Sequence, residues 1–139
     1  MRLVLDTSIL IAALRSRNGA AAAILDLVLA RKVTLLMDYR IACEYRDVAL
    51  RAQHIEKSNL SAEEIEHLIV TLEGIAIPVE ILWRHRPLSI DPNDDLILDL
   101  AINGYADAIV TNNLRHLHES AKPFGISVFD ARTLLITMQ

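Results

Sequence analysis

The feature that most constrains this chain is a short apolar run ending in a carboxylate: Arg2-Leu3-Val4-Leu5, then Asp6. The run is too short for a helix. Because it is continuous rather than alternating, it describes a strand buried on both faces, as in a parallel sheet. A carboxylate at the end of such a strand costs desolvation energy unless it is paired or metal-bound. Open parallel sheets gather ligands at the carboxyl ends of their strands. Asp6 therefore suggests both a fold class and a place to look for chemistry. The plainer reading makes Asp6 a helix cap that accepts from a free amide of Thr7 or Ser8.

The same pattern recurs along the chain. Residues 33–37, 75–79, 108–111 and 126–129 read as further strands, with Pro78 suited to a strand end or a sheet edge. Helical spacing is expected over 9–14, 20–31, 39–53, 61–73, 91–103, 114–119 and 131–137. Asn18-Gly19 breaks the first two helices apart. Ser61-Ala62-Glu63-Glu64 forms a capping box, with Leu60 and Ile65 placed as its hydrophobic staple. Gly74 is expected to stop that helix, and Gly104 to cap the one opened by Asp91-Pro92-Asn93. Strand and helix alternate, which predicts a parallel sheet with helices on both faces.

A chain of 139 residues suits one domain, 1–139, with a core that needs no disulfide. Its 53% hydrophobic content is rich for a free monomer, and implies either an Ala- and Leu-rich core or a surface that meets a partner or a second copy. One cysteine, Cys43, cannot form an internal disulfide, which fits a reducing compartment. Cys43 itself reads as a small hydrophobe on an amphipathic helix. Asp6 interrupts any secretion signal, and no run is long and apolar enough to span a membrane, so the expected location is the cytoplasm. The formal net charge of −4 argues against a general nucleic-acid coat. It is compatible with a nuclease, whose carboxylates are offset locally by metal ions.

The remaining acids fall at informative places. Glu44 lies between Ile41 and Val48 on one helix, close to a buried face. Its plainer reading is a solvated acid paired with Arg40. Asp94 shares a face with Ile97, Leu98 and Ala101, whereas Asp95 and Asp99 share another. Asp91, Asn93 and Asp94 are also explained as caps and acids favoured by the helix dipole, although that does not account for Asp94 facing the apolar side. Asn113 follows the fourth strand, where a side chain can aim at the same cleft or simply make a turn. Hard divalent ions take oxygen ligands of this kind. A cation also offsets the repulsion of carboxylates gathered from distant positions.

These segments resemble the PIN-domain family, specifically its toxin-like branch related to VapC ribonucleases. The matching stretches are Leu3-Val4-Leu5-Asp6-Thr7-Ser8, Glu44-Tyr45-Arg46-Asp47-Val48, Asp91-Pro92-Asn93-Asp94-Asp95 and Ala106-Asp107-Ala108-Ile109-Val110-Thr111-Asn112-Asn113. Each is modest alone, and the four in order are fairly specific. The resemblance implies a three-layer α/β/α sandwich around a central, mostly parallel five-stranded sheet. It also implies Mg²⁺- or Mn²⁺-dependent cleavage of single-stranded RNA. The family acids map onto Asp6, Glu44 and Asp94, and the family Thr onto Thr111; Asp94 is chosen over Asp95 because Ala101 then fits the family's small residue. The chain departs from the pattern at Ser8, where Asn is common, and at Asn113, where a fourth acid is usual. The resemblance further implies a cognate antitoxin and a homodimer.

On this reading Asp6 and Asp94 hold the ion directly or through water, Glu44 orients the attacking water or shares the ion, and Thr111 and Asn113 hydrogen-bond to water or phosphate. Arg15, Arg17, Arg46, Arg84, Arg86 and Arg115 are candidates to steer RNA, since a planar guanidinium suits phosphate; each is also readable as surface charge. His85, His116 and His118 are further candidates without an identifiable metal-site partner. The main alternative is a PIN fold that binds RNA or protein without cutting, which Asn113 favours. A haloacid-dehalogenase-like phosphatase would need an Asp where Ser8 stands. A response-regulator receiver would need an acid pair where Asp6 is single.

Overall fold

The computed structural model describes residues 1–84 and 92–139. Among them, β1 (Arg2–Leu5), β2 (Thr34–Met37), β3 (Ile77–Pro78), β4 (Ala108–Val110) and β5 (Ser127–Phe129) form one sheet in the order β3-β2-β1-β4-β5. Every pairing is parallel. The helices are α1 (Thr7–Arg15), α2 (Ala20–Leu29), α3 (Tyr39–Ala49), α4 (Ala52–Ser58), α5 (Ala62–Ile75), α6 (Pro92–Asn103), α7 (Leu114–Ala121) and α8 (Ala131–Thr137). Right-handed crossovers put α1 through α5 on one face of the sheet and α6 with α7 on the other. The contacts agree: α1 packs on α2 and α3, α3 on α5 and α2 on α8, while α6 packs on α7. The result is the expected three-layer α/β/α sandwich.

The apolar strands were legible because they are buried on both sides. Leu3, Val4, Leu35, Leu36, Ile109 and Val110 are essentially inaccessible. The strand order reverses beside β1: the chain runs outward to β2 and β3, then returns to place β4 on the other side of β1. Ligands collect at such a switch point. The last aligned pair of β1 and β4 is Leu5 with Val110. The next residue on each strand, Asp6 and Thr111, therefore emerges side by side.

Some expected boundaries moved. The helix over 39–53 breaks after Ala49 and restarts as α4 at Ala52. Gly74 does not stop its helix, which runs on to Ile75; a side chain there would meet open space, so nothing forces a turn. The third strand correspondingly shrinks to Ile77–Pro78 at the sheet edge, where a missing N–H is tolerated. After α6 the left-handed residue is Tyr105, not Gly104. Gly104 is small for a different reason. A Cβ there would stand 2.8 Å from Leu36 Cδ1 and 2.9 Å from the Leu100 carbonyl oxygen. The capping box is present: Ser61 Oγ accepts from Glu64 N–H, and the Glu64 carboxylate accepts from Ser61 N–H.

Candidate active site

Asp6 is fixed by its backbone before its side chain acts. Its N–H donates to the Val110 carbonyl at 2.9 Å, and its carbonyl accepts from Ile9 N–H at 2.9 Å. The carboxylate does not cap α1. Instead Oδ2 accepts from the Thr111 hydroxyl at 2.6 Å and from the Ser8 hydroxyl at 3.0 Å. Thr111 is fully buried, and its oxygen in turn accepts from Asn113 N–H at 3.0 Å. The hydroxyl of Ser8 also accepts from Asn112 N–H at 3.2 Å. One hydrogen-bond chain thus joins the ends of β1 and β4.

Glu44 arrives from α3. The buried Thr7 hydroxyl donates to its Oε2 at 2.8 Å. The neighbouring Tyr45 is buried, and its hydroxyl donates to the Leu5 carbonyl at 2.6 Å. That bond pins α3 to the end of β1, one residue before Asp6. Burial raises the Tyr45 pKa well above that of an ordinary phenol, and the charges of Asp6, Glu44 and Asp38 raise it further. Tyr45 therefore stays a proton donor. Arg40 pairs with Asp38 at 3.0 Å and Asp99 at 3.5 Å, tying the start of α3 to α6, rather than pairing with Glu44.

Asp94, on the first turn of α6, is only 5% exposed. It lines an open cleft of about 390 Å³ with Asp6, Thr7, Ser8, Ile11, Glu44, Val48 and Asn113. Asp95 is buried but is not among these lining residues, and Asp99 is fully buried beside Arg40. His116 Nδ1 lies 3.8 Å from Asp94 Oδ2. Sequence reasoning assigned His116 no partner at a metal site. The available signal was its spacing, one helical turn beyond Asn113 on α7.

The family profile of the PIN domain matches residues 2–115. The chain belongs to the PIN domain family. Two solved structures are similar in fold. One is VapBC2 from Rickettsia felis bound to a DNA fragment from its promoter, at 17% identity and a TM-score of 0.58, covering 92% of this chain and 97% of that one. The other is FitAB bound to a DNA fragment, at 22% identity and a TM-score of 0.60, covering 93% and 94% of the two chains. No curated protein matches the chain.

The donors of this PIN domain suit a hard divalent cation. Asp6, Glu44, Asp94 and Asn113 all offer oxygen to one cleft. Among the described residues, however, no three His, Cys, Asp or Glu side chains form a ready ligand group. Oxygen donors of this kind would hold a hard divalent cation, which would supply positive charge against developing negative charge on a bound phosphate.

The basic candidates separate by location. Arg46 turns toward α5 and pairs with Glu66 and Glu73, so its charge is engaged away from the cleft. Arg15 reaches His54 on α4. Arg17, Arg84, Arg115 and His118 are exposed. His85, Arg86 and Asp91 lie outside the described residues, as does the side chain of Asn93. Cys43 is exposed on α3, not buried as its neighbours suggested, and is absent from the cleft lining.

Proposed function

We propose that this PIN domain is a Mg²⁺- or Mn²⁺-dependent endoribonuclease that cleaves single-stranded RNA, and the toxin of a toxin–antitoxin pair. The observation that carries the reading is the convergence of Asp6, Glu44, Asp94 and Asn113 on one cleft from four distant stretches of chain. PIN domains are generally nucleases, which supports phosphodiester hydrolysis over mere binding. In this reading Asp6 and Asp94 hold the ion. A bound divalent ion supplies positive charge against the transition state and a more acidic water. Glu44, steadied by Thr7, orients the attacking water and accepts its proton. Thr111 keeps Asp6 in place, and Asn113 hydrogen-bonds the phosphate. In-line attack leaves a 5′-phosphate on one product.

The solved complexes similar in fold each contain an antitoxin, which supports a cognate antitoxin as partner. A homodimer and a cytoplasmic location complete the proposal. Among the described residues no helix is long and apolar enough to cross a membrane. The test is incubation of the antitoxin-free protein with a mixed single-stranded RNA pool, with Mn²⁺, Mg²⁺ or chelator. Metal-dependent fragments bearing 5′-phosphates are expected. Intact RNA under every condition, from folded protein, contradicts the reading.

One feature favours a second reading, a PIN fold that binds without cutting: the exposed, uncharged Asn113 stands in the cleft where a carboxylate would serve a second ion. Asn113→Asp separates the two. In an active enzyme it changes the metal dependence of an existing rate by roughly tenfold. In a binding module it creates cleavage where the wild type shows none.

A further inference from the structure

A strip of side chains leads away from the acids. Thr7, Ile11 and Arg15 are spaced four residues apart on α1 and share a face. Glu44 and Val48 do the same on α3, and α4 follows the break beyond Ala49. Ile11 and Val48 line the cleft beside Thr7 and Glu44. One turn further out, Arg15 Nη2 donates to His54 Nδ1 at 2.7 Å, where α1 packs on α4. The strip changes from carboxylates to an apolar floor to cations. Helical rise places Arg15 about 12 Å along α1 from Thr7.

The cationic end has donors but no anion. Arg51 is paired with Asp47 at 3.2 Å. Among the described residues Arg15, His54 and Lys57 have no carboxylate within ion-pair distance. A guanidinium that donates to imidazole Nδ1 requires that nitrogen to be unprotonated, which leaves Nε2–H as a donor. Burial lowers the His54 pKa, and the charges of Arg15, Arg51 and Lys57 lower it further. Glu56, the acid on α4 nearest in sequence, is exposed. A guanidinium fork and an imidazole N–H brought together without a carboxylate match the oxygens of a phosphodiester.

We propose that Arg15 and His54 form a phosphate-binding subsite that anchors the RNA backbone a few nucleotides from the scissile bond. Ile11 and Val48 supply the apolar floor that the intervening ribose or base crosses. The identity of the polymer rests on the ribonuclease reading; the anion site rests on the geometry of the cluster.

The test is fluorescence anisotropy with a labelled single-stranded RNA of about ten nucleotides, in chelator so that nothing is cut. Wild type is compared with Arg15→Ala, His54→Ala and, as a control on α8, Arg132→Ala. Thermal melts check that each variant is folded. Arg15→Ala is expected to weaken binding about tenfold and to reduce the salt slope by about one. His54→Ala has a smaller effect, and Arg132→Ala leaves both within about twofold. No measurable binding by wild type, or equal binding by wild type and Arg15→Ala, overturns the subsite. Under cleavage conditions Arg15→Ala raises KM and leaves kcat unchanged. Arg15-dependent binding without cleavage in any divalent ion sinks the ribonuclease reading and keeps the subsite. Cleavage with an unchanged Arg15→Ala KM does the reverse.

Discussion

At the scale of single residues, the site depends on hydroxyls that aim carboxylates. Thr111 and Ser8 both donate to Asp6 Oδ2, and Thr7 donates to Glu44. Thr111→Val keeps the shape and removes a donor, so it is expected to lower kcat about tenfold or more with little change in KM, read in steady-state cleavage. Tyr45→Phe strips the Leu5 carbonyl of a buried partner. It is expected to destabilise the fold by about 1–3 kcal/mol, read as a lower urea midpoint. Asp94 was chosen over Asp95 through the family resemblance, with Ala101 as the small residue seven positions on, and of the two acids it is Asp94 that lines the cleft. His116 was a candidate, but its partner was not legible, because nothing in the local sequence sets how α7 is rotated against α6. Only packing brings its ring to within 3.8 Å of Asp94.

At the scale of elements, α3 carries Glu44 and is tied on several sides. Tyr45 holds it to β1, Arg40 to α6, and Arg46 to α5 through Glu66 and Glu73. Arg40→Ala leaves Asp99 fully buried without this guanidinium. It is expected to cost about 2 kcal/mol, below the value for a fully buried pair because Arg40 is partly exposed. Activity falls with it, because α3 and α6 carry two of the acids; parallel unfolding and cleavage assays check both effects. Strands β1 and β4 could be read directly, since Leu3-Val4-Leu5 and Ala108-Ile109-Val110 are uninterrupted apolar runs. The break between α3 and α4 could not, because residues 50 and 51 carry neither Gly nor Pro. Gly74 and Gly104 misled in opposite ways: one is tolerated within a helix, and the other is required by Leu36 rather than by a turn.

At the scale of the whole molecule, strand order is what assembles the site. Placing β4 beside β1 sets Thr111 against Asp6, and the helices of both layers then supply Glu44 and Asp94. The sheet class follows from the alternation of elements, whereas the strand order was not legible, because local pattern does not specify which strands become neighbours. If the chain is a toxin, co-expression of its antitoxin restores growth that the protein alone arrests, and Asp94→Asn removes the arrest without the antitoxin. Colony counts read both outcomes, and undiminished arrest by folded Asp94→Asn contradicts the placement of the site. The central claim, a metal-dependent ribonuclease centred on Asp6, is tested most directly by incubating purified wild type and Asp6→Asn with single-stranded RNA and Mn²⁺, beside a chelator control. The account predicts cleavage by wild type that is lost on chelation and falls by about a thousandfold or more in Asp6→Asn. Cleavage by folded Asp6→Asn at the wild-type rate, or cleavage that survives chelation, would contradict it.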